Sequence, residues 1–217
     1  MIRAASELAQ EALSARRVGF LGGTFDPPHE GHLHLARRAR EARDLDHVLW
    51  VPAARPPHKP GLVLAEETER ARMLELLLCE ETSGSSIWTV EFGRGGPSYT
   101  VDTLRSLRSL LAPAAQLFLV LGSDNLPGLA GWRDVEEVLA LAEPIVVPRR
   151  PSEVQPESLP AALAARLSGC VLQGEAIDVS STEVRRLLAA GAERELAALV
   201  PAALREYLLA SGIYRAR

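Results

Sequence analysis

Residues 17–52 constrain the fold most tightly. Arg17-Val18-Gly19-Phe20-Leu21 is a short apolar run stopped by Gly22-Gly23, a helical pattern occupies about 31–43, and His47-Val48-Leu49-Trp50-Val51-Pro52 is a second apolar run. Strand, glycine turn, helix, strand is a βαβ unit, and its crossover demands parallel pairing. Strands of this kind are buried on both faces, which fits runs that are apolar throughout rather than at alternate positions.

The alternation continues along the chain. A helix is expected over 66–79, with Met73, Leu74, Leu77 and Leu78 on one stripe, then a strand over 87–92 and a helix over 100–111. The most apolar strand, 116–121, ends at Gly122. A helix near 135–141 leads to a strand over 144–147 and a Pro/Ser/Glu-rich loop over 148–160. A helix near 161–167, short strands around Val171 and Ile177, and helices over 181–190 and 202–210 complete the pattern. Residues 4–16 carry a short amphipathic helical pattern, so 1–17 reads as an N-terminal helical extension. The expected architecture is α/β: one domain over 1–217 with an open, mostly parallel sheet and a C-terminal helical part over 178–217. Ligands of such sheets bind at the carboxyl ends of the strands, beside the topological switch point. That directs attention to the residues after Leu21, Val51, Leu121 and Ile177.

Composition removes several alternatives. The 217 residues carry 24 Lys+Arg against 28 Asp+Glu, a net charge of −4, which argues against a nucleic-acid partner. Cys79 and Cys170 stand alone and far apart, as free thiols of a reducing compartment do. The first residues lack the apolar core of a signal peptide, and no run approaches the ~18 apolar residues that span a bilayer. A cytoplasmic protein without a membrane partner is expected.

Two segments carry chemistry. The first strand delivers Gly22-Gly23-Thr24-Phe25-Asp26-Pro27-Pro28-His29-Glu30-Gly31-His32. Paired glycines let the backbone approach a phosphate, and a helix opening just beyond supplies free N–H groups and a positive dipole end. His29 and His32, three apart, share one side of the first turn. The segment is neither a dinucleotide fingerprint nor a Walker A loop, since neither spacing is present. Near the other end stands Ser180-Ser181-Thr182-Glu183-Val184-Arg185. Ser180 with Glu183 is a capping box, but capping does not require three hydroxyls in a row or an arginine one turn later. Hydroxyls, free amides and a guanidinium around one helix start make a second anion cradle. His34, His47 and the Arg37/Arg38/Arg40 cluster read as a solvated helix face or strand edge.

Together these two segments resemble the nucleotidyltransferase superfamily, and more narrowly the bacterial nicotinate mononucleotide adenylyltransferases. Intervening segments are similar to the narrower family: Pro56-Pro57-His58-Lys59 after the second strand, Ser98-Tyr99-Thr100, Gly122-Ser123-Asp124, and Trp132-Arg133. The resemblance runs from about Val18 to Tyr214. It implies a Rossmann-like nucleotidyltransferase fold, with ATP and nicotinate mononucleotide giving deamido-NAD and pyrophosphate, Mg²⁺ arriving with ATP and no metal site of the protein's own.

The resemblance also distributes roles. His29, His32 and Arg185 are the expected catalytic residues. Gly22, Gly23, Thr24, Phe25, His32, Gly122, Asp124, Ser180, Ser181, Thr182 and Arg185 are expected around ATP. Lys59, Ser98, Tyr99, Thr100, Trp132 and Arg133 are expected around the mononucleotide, with Trp132 stacking on the pyridine ring. Each of these residue types also has a plainer use: Trp132 as core, Lys59 as a solvated charge, Ser98 and Thr100 as helix caps, and Asp124 as a turn former. In Arg149-Arg150-Pro151-Ser152, Ser stands where the family usually has Gly, which leaves that loop's contact unassigned. The rival readings are an adenylyltransferase for nicotinamide mononucleotide or another phosphorylated small molecule, and a non-catalytic nucleotide-binding module on the same fold. The oligomeric state is not written in the sequence.

Overall fold

The computed structural model describes residues 4–56, 65–81, 84–149 and 159–215. Its strands are β1 (Ala4–Ala5), β2 (Arg17–Gly23), β3 (His47–Pro52), β4 (Ser85–Trp88), β5 (Gln116–Gly122) and β6 (Glu143–Val147). They form one sheet in the order β1-β4-β3-β2-β5-β6, parallel at every pairing. The helices are α1 (Gln10–Ser14), α2 (Glu30–Arg43), α3 (Glu67–Leu77), α4 (Thr100–Leu110), α5 (Leu126–Leu129), α6 (Val135–Leu141), α7 (Ala161–Leu167), α8 (Ser181–Ala190), α9 (Glu193–Leu196) and α10 (Ala202–Ser211).

Strand residues alternate between two cores, as a two-residue period requires. Leu21, Val48, Trp50, Phe118, Val120, Ile145 and Val147 pack on one face with residues of α2, α3, α8 and α10. Phe20, Leu49, Val51, Leu119, Leu121 and Val146 pack on the other with residues of α4, α6 and α7. Helix layers on both faces leave the strand ends as the exposed rim of the sheet. The chain moves from β2 outward through β3 and β4, then returns to pair β5 with the other side of β2. The switch point therefore lies between Gly22-Gly23 at the end of β2 and Gly122 at the end of β5.

Four elements differ from the sequence expectation. The extension is not simply helical: Ala4–Ala5 pair with Ile87 and Trp88 and cover the edge of β4, and the helix is confined to Gln10–Ser14. An edge strand presents unpaired N–H and C=O groups, and this short segment satisfies them. The strand expected over 87–92 is Ser85–Trp88, because Thr89 onward enters a turn in which Phe92 N–H donates to Thr89 C=O. Val171 forms a single bridge to Val146, and Ile177 lies in no strand. His47 is no edge residue. It is 3% exposed with Nε2 2.7 Å from Ser86 Oγ, and burial, with Arg40 nearby, pushes its pKa down to about 4. Arg40 is likewise no plain surface charge, since its Nη2 donates to Gly84 C=O and Ser85 Oγ.

Candidate active site

A cavity of about 370 Å³ opens at the carboxyl ends of β2, β3 and β5. One wall is Gly22, Gly23, Thr24 and His32; another is Gly122 and Asp124; a third is Ser98, Tyr99, Thr100, Trp132 and Arg133. Segments far apart in sequence thus meet in one space at the switch point. Lys59 lies outside the described residues.

The first wall is set by the start of α2. His29 is its N-cap, in extended backbone, and its N–H donates to Nδ1 of His32 at 3.2 Å. An accepting Nδ1 is unprotonated, so the neutral His32 ring carries its proton on Nε2. A cavity-lining residue is thereby fixed as an N–H donor. The two imidazoles stack at 3.9 Å between centroids, and Phe25 meets the edge of His32 at 4.9 Å. Phe25 holds a left-handed backbone, φ +52°, which is costly for an aromatic residue and persists only under the surrounding packing. His29 is buried beneath this wall and does not line the cavity. Desolvation, then the charge of Arg149, lowers its pKa to about 3. The expected pair of phosphate-neutralising imidazoles is accordingly one neutral buried ring supporting one cavity-lining ring.

The Ser180–Arg185 segment lies beside this wall. Ser180 Oγ caps α8 by accepting from Glu183 N–H at 3.2 Å. Ser181 Oγ donates to Pro27 C=O at 2.9 Å, and Arg185 Nη1 donates to Asp26 C=O at 2.5 Å. A Cβ on Gly31 would stand 3.3 Å from Val179 C=O, a tight contact, so the start of α2 and the segment leading into α8 lie close together. Both N-termini therefore sit side by side with their positive ends together. Ser181 and Arg185 hold the Asp26-Pro27 turn, while Ser180 caps α8 and Thr182 Oγ1 accepts from Arg185 Nη2; none of the four lines the cavity.

On the opposite wall, a Cβ on Gly122 would lie 2.3 Å from Asp124 Oδ1 and 2.8 Å from Arg149 Cδ. Arg149 is the residue that sequence reasoning left without a role. Its Nη1 pairs with Asp124 at 2.9 Å, its Nη2 donates to Val179 C=O, and its N–H donates to Ser123 Oγ at 2.9 Å. It brings a guanidinium to the cavity and links the β5 end to the start of α8. Its signal in the sequence is an arginine two residues past a strand end.

On the third wall the helix-capping alternative for Ser98 is not realised. Tyr99 is the N-cap of α4 and makes no side-chain cap. Ser98 Oγ instead accepts from Ala54 and Arg55 N–H at 3.0 and 3.1 Å, and Ser98 N–H donates to Arg55 C=O. It stitches the turn after β3 to the start of α4. Glu91, also lining the cavity, accepts from Thr103 Oγ1 at 2.6 Å, and desolvation raises its pKa. Trp132 is half-buried against the core under α4 and α6, with the rest of it on the cavity. Arg133 lies 4.7 Å over the Tyr99 ring at the rim.

An open α/β sheet with paired helix starts, a glycine-lined strand end and an aromatic second half at one switch point defines a nucleotide-handling fold. The family model described as Cytidylyltransferase-like matches residues 20–187. A Gloeobacter violaceus protein named "Probable nicotinate-nucleotide adenylyltransferase" is 42% identical over 200 residues, covering 91% of this chain and 96% of its own. A Pseudomonas putida protein of the same name is 39% identical, covering 95% and 98%. The structure of Plasmodium falciparum nicotinic acid mononucleotide adenylyltransferase complexed with NaAD superposes with a TM-score of 0.72, at 16% identity, over 92% of this chain and 97% of that one. The chain belongs to the nicotinate-nucleotide adenylyltransferases, within the cytidylyltransferase-like nucleotidyltransferases.

Proposed function

We propose that the protein transfers the AMP moiety of ATP to nicotinate mononucleotide, giving deamido-NAD and pyrophosphate in NAD biosynthesis. The observation that carries this reading is the meeting of two unlike half-sites in one cavity: a glycine, threonine and histidine wall suited to phosphates, and a Tyr99/Trp132/Arg133 wall suited to a flat, anionic ring. The acceptor phosphate is already anionic at pH 7, so the step needs alignment and charge neutralisation more than a base. The phosphate oxygen attacks the α-phosphorus in line, a new P–O bond forms, and the bond to the bridging oxygen breaks as pyrophosphate departs.

Each residue then has work to do. His32 Nε2–H donates to the α-phosphate as its charge grows, and buried His29 holds that ring in its tautomer. Thr24 and the Gly22-Gly23 backbone cradle the same phosphates. Phe25 packs under His32. Arg149 meets the outer phosphates from the cavity wall, the start of α8 with Ser180, Ser181, Thr182 and Arg185 supports them from beside it, and Asp124 accepts from the nucleotide ribose. Lys59 faces the mononucleotide phosphate, and Trp132 stacks on the pyridine. Arg133 and the positive end of α4 at Thr100 favour the ring carboxylate. Among the described residues no three His, Cys, Asp or Glu side chains stand close enough to hold an ion. In this reading Mg²⁺ would arrive with ATP and would supply neutralisation of the phosphates.

No helix among the described residues is long and apolar enough to cross a membrane. Cys79 and Cys170 are free thiols, which supports work in the reducing cytoplasm. We read the chain as one catalytic unit over 1–217. The deciding experiment supplies ATP and Mg²⁺ with either the acid or the amide mononucleotide. Deamido-NAD and pyrophosphate should appear, faster with the acid; no product from the acid overturns the reading.

A further inference from the structure

We propose that Arg70 is a positioning residue for the transfer: its guanidinium holds the phosphate turn after β2 and the turn after β3 at a fixed separation. The two strands run side by side until Ala53 N–H donates to Gly23 C=O at 2.8 Å. Beyond that bond the sheet offers nothing to keep the turns together. Arg70, near the start of α3, reaches in from below. Its Nη1 donates to both Thr24 C=O, at 3.0 Å, and Ala53 C=O, at 2.5 Å. Its Nη2 reaches Ala54 C=O at 3.4 Å and its Nε donates to Ala65 C=O at 3.0 Å. One nitrogen thus bridges the carbonyls of two cavity-lining residues, one from each turn.

The placement is expensive. Arg70 is 1% exposed, and burial lowers its pKa while Asp26 opposes that shift most strongly. Asp26 is fixed in turn: its Oδ1 accepts from Ala65 N–H at 3.0 Å and from Tyr214 O–H at 2.5 Å. The Ala65 backbone therefore joins Arg70 at its carbonyl oxygen to Asp26 at its N–H, closing a ring beneath the phosphate turn. An arginine in an apolar setting is retained where its planar fork has several acceptors to fill. Lysine keeps the charge but cannot span the same carbonyls. Residue 70 also falls one turn before Met73 and Leu74 on the buried stripe of α3, where packing alone would select an apolar side chain.

This inference rests on the proposed reaction. With the phosphate turn holding ATP and the turn after β3 lining the same cavity at Ala53 and Pro56, a shift between them misaligns donor and acceptor without removing a ligand contact. The test compares wild type, Arg70→Lys and Arg70→Ala, each with circular dichroism, thermal melting and steady-state kinetics. Arg70→Lys should fold and keep KM for ATP near the wild-type value, while kcat falls at least about tenfold, since misplacement of about 1 Å can cost a hundredfold. Methylguanidinium should restore part of kcat in Arg70→Ala. Backbone amides of Ala53, Ala54 and Arg55 should exchange faster in Arg70→Lys than in wild type, relative to those of Phe20 and Leu49. Wild-type kcat in Arg70→Lys, loss that merely follows the folded fraction, or unchanged exchange in that turn would overturn the role. Wild-type turnover, measured alongside, tests the reaction itself, and the exchange comparison reads the coupling of the two turns whatever the acceptor is.

Discussion

At the scale of single residues, the site depends on protons held in place by backbone geometry. His32 is a donor at Nε2 because a main-chain N–H occupies its Nδ1. That N–H belongs to an N-cap whose own ring is buried and neutral. A fixed donor aimed at developing charge is worth about 10²–10³ in rate when removed. His32→Ala should therefore lower kcat by about that factor, with little change in melting temperature, because the ring is only half-buried. Single-turnover kinetics with saturating ATP would read the effect, and an undiminished rate would remove His32 from the chemistry. The sequence showed the two histidines on one side of a helix start, but not their division of labour. Burial depends on what folds over a residue, and the contributors here, Phe25, Arg149 and the start of α8, are distant or locally unremarkable.

At the scale of elements, helix termini do the positioning. α2 and α8 begin side by side, and α4 begins across the cavity, so the first turns of three helices face the site or the turn that forms it. The start of α8 is held by one hydroxyl, since Ser180 Oγ accepts from Glu183 N–H. Ser180→Ala should cost about 1 kcal/mol, a fall of about 2–4 °C in melting temperature for a chain of this size. It should also weaken ATP binding more than mononucleotide binding, and calorimetric titration with each ligand separates the two. Equal losses for both would mean that Ser180 acts only through stability. Elements were the most legible level. Period and punctuation located β2, β3, β5 and β6 and the longer helices between them to within a few residues, because buried parallel strands are apolar along their length and β2 and β5 end in glycine. They failed where pairing rather than pattern decides: Ala4–Ala5 are a strand only because β4 has an edge to fill.

At the scale of the whole molecule, two layers of helix bury both faces of the sheet, and that burial reaches ionisable groups outside the active site. The −4 net charge does not preclude a local anion site, because Arg133 and Arg149 line the cavity at the strand ends. Acid sensitivity is a separate consequence. His29 and His47 have folded pKa values of about 3 and about 4, below the unfolded value of 6.5. Between those limits the unfolded chain binds more protons than the folded one, so stability rises with pH there and levels off above about 6.5. Glu91 acts in the opposite sense, since its raised pKa favours the folded state at low pH. Two histidines outweigh it through the window just below neutrality. Each contributes about 2 kcal/mol lost between pH 6.5 and pH 5, at about 1.4 kcal/mol per unit. Urea midpoints measured from pH 5 to pH 8 should fall steeply below about pH 6.5 and stay flat above it. His47→Gln, which lies far from the cavity, should remove its share of that slope; an unchanged slope would mean that His47 titrates in the folded protein as it does in the unfolded chain.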